Sequence, residues 1–250
     1  MQRIALTTWS IHPYLSDGSL DLMAMPARVK AAGIATVEIC HFHIPNTEIV
    51  YLQSLKTAAA NAGVEIFSIL IDAFDISQAD NAADIAQVQH WIEAAAHVGA
   101  SHVRVVAGEA PATDTAALQR TISALKALQA YATPKGVRVM SENFKTMAST
   151  PANWLAIHQA LGYGGCADIG NFANDSRVSD FGQVAAMAAS IHVKASYDDQ
   201  GQLLPAQVNA CLATARKHGF SGPTTLVYDR PGDRWPHIEA LRQLVATAFV

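Results

Sequence analysis

The chain has 250 residues, half of them hydrophobic and 15% charged, with a formal net charge of −4. That is enough apolar material for one large core, and the mild acidity supplies no electrostatic footprint for nucleic acid or an anionic membrane. Three cysteines in no CxxC spacing argue against a disulfide framework or a zinc ribbon, and neither a signal-like start nor a run of about 18 apolar residues is present. The expectation is a cytoplasmic protein.

Strand-like and helix-like patterns alternate along the whole sequence. Runs rich in β-branched and aliphatic residues predict strands at 3–9, 36–42, 64–70, 102–108, 136–143, 164–170, 190–196 and 224–229. Helical periodicities fall between them, the longer ones at about 81–99 and 115–132, and the last at about 235–248. Gly33, Gly63, Gly99, Gly136, Gly162 and Gly219 each close a helical stretch ahead of a strand. Eight strand–helix units without an internal linker predict a single (β/α)8 TIM barrel over 1–250. No GxGxxG turn follows the first strand, which disfavours a doubly wound dinucleotide fold. Ala-rich helices such as 57–63 carry little surface charge, so homo-oligomerisation is an open expectation.

Glu142, Asp168 and His192 end the fifth, sixth and seventh runs, 26 residues (142 to 168) and 24 residues (168 to 192) apart. Each therefore sits at the carboxyl end of a successive parallel strand, the face where barrel enzymes carry their chemistry. Two oxygens and a nitrogen from neighbouring strands suit a divalent cation, Mn²⁺ before Mg²⁺, Co²⁺ or Zn²⁺. The bland readings are a salt-bridged Glu142, an Asx turn at Asp168 and a structural His192. Lys194 shares the strand face of His192; it would orient hydroxyls, form a Schiff base if its pKa were low, or neutralise the neighbouring carboxylates. Trp9, His12, His41 and His43 follow the first two strands, with Trp9, His12 and His43, Asn171 and Arg230 as candidate substrate contacts. His90, His97, His158, His218 and His237 lie in helical stretches and are assigned to the outer ring.

The order Glu142-Asn143, Asp168-Ile-Gly-Asn171 and His192-Val-Lys194, with Val37-Glu38-Ile39 earlier and Gly219-Phe-Ser-Gly222 before the eighth strand, resembles the xylose isomerase-like TIM barrels, the sugar phosphate isomerase/epimerase superfamily. The resemblance implies an isomerase acting on a small sugar-like carbonyl compound through an enediolate, with a divalent metal. In that family a strand-5 Glu, strand-6 Asp, strand-7 His and strand-8 Glu hold the metal, and the two Glu residues move protons. By resemblance Glu142, Asp168 and His192 take the first three places; Val227 stands in the fourth. Asp229 lies two residues on, about 6.6 Å further along a strand, too far to substitute unless the loop folds back. Loss of the second carboxylate favours a one-base isomerisation, with Glu142 as base, over a two-carboxylate epimerisation. A carbohydrate-binding barrel without turnover is the alternative. An endonuclease IV-like phosphodiesterase is a weaker one, for want of further metal ligands and a basic stripe.

Overall fold

The computed structural model describes residues 2–249. Eight parallel strands carry the architecture: β1 (Ile4–Thr7), β2 (Thr36–Cys40), β3 (Glu65–Ile71), β4 (His102–Val105), β5 (Arg138–Met140), β6 (Gly165–Asp168), β7 (Ala188–Lys194) and, after a two-stranded hairpin of β8 (Ser196–Tyr197) and β9 (Leu203–Leu204), β10 (Thr224–Val227). They pair in the order β5-β4-β3-β2-β1-β10-β7-β6. The ends of that order meet, since the Cys166 N–H donates to the Ser141 carbonyl at 2.9 Å and Glu142 bridges to Cys166. The protein is a single-domain (β/α)8 TIM barrel, as the alternation predicted.

Helices α1 (His12–Ser16), α2 (Met25–Ala31), α3 (Ile49–Ala62), α4 (Ala82–Val98), α5 (Thr115–Ala132), α6 (Pro151–Leu161), α7 (Arg177–Val184), α8 (Ala206–Lys217) and α9 (Trp235–Ala248) surround the strands. Their boundaries follow local chemistry. α3 buries Leu52, Leu55 and Ala59 on one stripe and stops at Gly63, whose φ of 65° makes the left-handed cap that a side chain would resist. Asp114 caps α5 by accepting from the Ala117 N–H at 2.9 Å, and Thr150 caps α6 ahead of Pro151. The hairpin after β7 is an element the strand pattern did not announce, and the expected fifth strand shortens to three residues with Glu142 just beyond it. No helix among the described residues is long and apolar enough to cross a membrane.

The main apolar core lies between sheet and helices, whereas Phe67, Met140 and Cys166 form a small separate cluster inside the barrel. Above it the interior is charged: Glu38, Arg104, Glu142, Asp168 and His192 are all buried. Charged side chains stay in such a place only when paired or bound to a cation, which makes this layer the candidate site.

Candidate active site

A cavity of about 310 Å³ opens at the carboxyl ends of the strands, lined by Glu142, Asp168, His192, Lys194, Val227 and Asp229 together with Trp9, Phe42, Asp72, Arg104 and Phe144. Strand neighbours set the spacing of its floor. Asp168 pairs with His192 across β6 and β7, and Val227 pairs with Lys194 across β10 and β7. The turn after β6 is closed by Asp168 itself, whose Oδ1 accepts from the Gly170 and Asn171 N–H groups at 2.6 and 3.1 Å. Any Cβ at Gly170 would lie 2.6 Å from Lys194 Cβ, so glycine lets that turn pack onto β7.

Three donor atoms converge on the floor. His192 Nδ1 lies 3.5 Å from Glu142 Oε1 and 3.9 Å from Asp168 Oδ2. The ring is oriented from behind, where Nε2 sits 2.6 Å from Glu38 Oε2. A carboxylate holding one imidazole nitrogen so that the other faces a shared centre is the usual second layer of a metal-binding histidine. Glu142 is fixed likewise: Asn171 Nδ2 donates to Oε1 at 3.1 Å, while Arg104 Nε lies 3.0 Å from Oε2 and its Nη2 lies 2.6 Å from Asp72. Asn143 exchanges two hydrogen bonds with the Asp168 backbone, locking the ends of the fifth and sixth strand segments together.

The electrostatics show a shortage of positive charge. Glu38, Asp72, Glu142, Asp168 and Asp229 face Arg104, Lys194 and His192. Burial pushes the Glu142 carboxyl up, but Arg104 and His192 outweigh it and hold it at about 2. Burial, with the Glu142 charge beside it, pushes Asp168 up to about 7. At His192 burial opposes the charged form, yet Cys166, Glu38 and Glu142 raise its pKa well above the ordinary value. The imidazole thus draws a proton into a carboxylate pocket, the place a divalent cation would take.

The profile of the xylose isomerase-like TIM barrel family matches residues 26–245. The chain belongs to that family. Comparison with curated proteins gives no match. Among solved structures the barrel is similar to an L-ribulose 3-epimerase (TM-score 0.78, 15% identity, 100% of this chain and 95% of that one). It is also similar to a xylose isomerase domain protein from Planctomyces limnophilus (0.73, 17%, 99% and 96%). A third likeness is to a xylose isomerase-like TIM barrel protein from Mycobacterium smegmatis in complex with magnesium (0.69, 17%, 91% and 89%). At these identities the likeness is one of fold.

Within this xylose isomerase-like barrel the donor set fits a divalent cation. Ligands about 2.1 Å from one ion lie roughly 3–3.4 Å apart, and His192 Nδ1 stands 3.5 and 3.9 Å from the carboxylate oxygens of Glu142 and Asp168. Glu38 Oε1, buried and without a hydrogen-bond partner, marks the same excess of acceptors. Val227 faces the cavity and offers no donor atom.

The remaining sequence candidates divide. Lys194 lines the cavity, but its Nζ is 2.7 Å from Asp229 Oδ2, and despite partial burial that bond and charge raise its pKa. A Schiff-base lysine needs a free amine of lowered pKa, the opposite of this ion-paired ammonium. Asp229 lines the cavity too, where its carboxylate meets Lys194. Trp9 lines the mouth and stacks on His12 at 4.9 Å; His12 in turn lies 2.8 Å from His43, which contacts Thr8. His12 and His43 therefore support the rim and do not line the cavity. Arg230 turns away onto the Tyr197 ring at 5.5 Å. His158, placed in the outer ring by its helix, points inward instead: fully buried, it accepts from the Ser141 N–H at 3.2 Å. Glu38, Asp72 and Arg104 were not given roles from sequence. The available signal was a charge in the middle of an apolar strand run, TVEIC for Glu38 and HVRVV for Arg104.

Proposed function

We propose that this chain is a sugar isomerase/epimerase-like enzyme that moves a proton on a small polyhydroxylated carbonyl substrate, with a divalent cation held by Glu142, Asp168 and His192. The observation that carries the reading is the convergence of Glu142 Oε1, Asp168 Oδ2 and His192 Nδ1 on the floor of a cavity whose rim is part aromatic and part polar. About 310 Å³ is at the lower end of ligand clefts and suits a small molecule. Trp9, Phe42 and Phe144 offer flat apolar faces for the carbon side of a sugar, and Asn171, Lys194, Asp72 and Asp229 offer partners for hydroxyls. Family membership and the fold shared with an L-ribulose 3-epimerase support the same class.

The bound cation would polarise the substrate carbonyl as a Lewis acid. Lys194, kept protonated by Asp229, adds a hydrogen bond to the developing oxyanion. Glu142 is the carboxylate placed to take the α-proton. Held at about 2, it is ionised at any working pH but weakly basic, so the carbonyl donors must make that proton acidic. Incubation with a panel of ketoses and aldoses in D2O, with divalent metal, should place deuterium on the carbon next to the carbonyl, and Glu142→Gln should abolish exchange while still binding sugar.

A second reading, a carbohydrate-binding barrel without turnover, is favoured by two features: Val227, and the guanidinium that ties Glu142 Oε2. Sugar binding by the wild type with no exchange from any substrate would select it.

A further inference from the structure

The eighth barrel strand ends at Val227, which offers the cavity no donor atom, but a carboxylate lines the same cavity two residues on. Asp229 Oδ2 lies 2.7 Å from Lys194 Nζ, and Lys194 pairs with Val227 across β7 and β10. The Lys194 and Asp229 side chains are 34% and 35% exposed, so the pair stays open to a bound molecule.

We propose that Asp229 is a catalytic residue that carries the oxygen-bound proton from one substrate oxygen to its neighbour, which makes the reaction the interconversion of an aldose and a ketose. The proposal rests on the reading of this cavity as a sugar isomerase/epimerase-like site, and it chooses between the two reactions.

The protons to be moved separate those reactions. Inverting a carbon beside a carbonyl removes and returns a carbon-bound proton and leaves each oxygen as it was. Moving the carbonyl along the chain also takes the proton from the adjacent hydroxyl and puts it on the former carbonyl oxygen. Glu142 serves the carbon, and a second group at the oxygens has work only in the second case.

Lys194 fixes where that group must stand. Its ammonium donates to Asp229 and, with substrate bound, to the developing oxyanion. Two acceptors on one tetrahedral ammonium lie roughly 4.5 Å apart, a gap that the substrate's next oxygen can bridge. In the enediolate one oxygen carries the charge and its neighbour the proton. Asp229 takes that proton, so that an O–H bond breaks and a carboxyl O–H forms, and then gives it to the other oxygen. The electron pair left behind forms a carbonyl one carbon along as Glu142 returns its own proton to the first carbon. Lys194 remains an ammonium throughout, beside the charge. Asp72, the other partly exposed carboxylate lining the cavity, is held by Arg104 Nη2 at 2.6 Å and follows β3, four places from β7 in the strand order and so across the barrel from Lys194.

The experiment compares two fates of one enediolate. Protein with divalent metal is incubated in D2O with aldose–ketose pairs, and NMR reads deuterium in the recovered substrate beside conversion to the other sugar. Asp229→Asn should lose conversion while Glu142 still exchanges the carbon-bound hydrogen, raising the ratio of exchange to conversion about tenfold or more. Asp229→Ala should behave alike, and added formate should restore its conversion. A ratio equal to that of wild type in these variants overturns the proposal, since a merely structural Asp229 lowers exchange and conversion together. A wild type that yields an epimer without aldose–ketose conversion overturns it too, and leaves the wider reading standing. Neither exchange nor conversion of any sugar by the wild type overturns both.

Discussion

Arg104→Met isolates what holds Glu142. The guanidinium touches Asp72 at 2.6 Å and Glu142 at 3.0 Å, and the side chains of Arg104 and Glu142 are 5% and 4% exposed. Methionine keeps most of the apolar stem and removes the charge. Asp72, with 24% exposure, recovers hydration; Glu142 cannot, and remains a carboxylate in the barrel interior beside Asp168. Removing one partner of a buried pair costs about 3–5 kcal/mol, and urea unfolding without metal should show a loss of that size. Adding Glu142→Gln should return part of it, a coupling of about 1–3 kcal/mol. Saturating divalent metal should stabilise Arg104→Met more than wild type, because the ion takes over the missing positive charge. A loss below about 1 kcal/mol, or strict additivity with Glu142→Gln, would refute the claim that the guanidinium holds this carboxylate in place.

Glu38→Gln keeps the shape behind His192 but weakens the grip on Nε2, so metal affinity by calorimetry should fall about 10–100-fold with little change in fold stability; unchanged affinity counts against the orienting role. Val227→Glu brings a carboxylate to the cavity wall and should tighten Mn²⁺ about tenfold, while costing several kcal/mol without metal. Equal destabilisation with and without Mn²⁺ would mean that position 227 does not share the site. Burial holds the fully buried His158 at about 4, against 6.5 when unfolded, so its contribution is intact above pH 6.5 and is lost as pH falls toward 4, by about 3 kcal/mol. His158→Gln should flatten urea-derived stability over that window, and an unaltered slope would place the acid sensitivity elsewhere.

The barrel was legible in the sequence because its signals are local. Alternating strand and helix periods repeat eight times, glycines stop the helices, and connection lengths make successive strands parallel neighbours. The same regularity put Glu142, Asp168 and His192 at adjacent strand ends, since a fixed repeat turns sequence interval into position around the barrel. Side chains paired across strands, and not along the chain, escaped that reading. Arg104 reaches Glu142 from 38 positions earlier (104 to 142), and Glu38 meets His192 across the barrel floor, 154 residues apart. The mouth loops were equally closed to it, because their paths depend on packing against other loops: Asp229 meets Lys194, Arg230 lies against Tyr197, and His12 pairs with His43. Periodicity places a residue on a strand or helix face. The charge it meets there is fixed by barrel closure, which brings side chains from all eight strands into one space poor in water, where an uncompensated charge is costly.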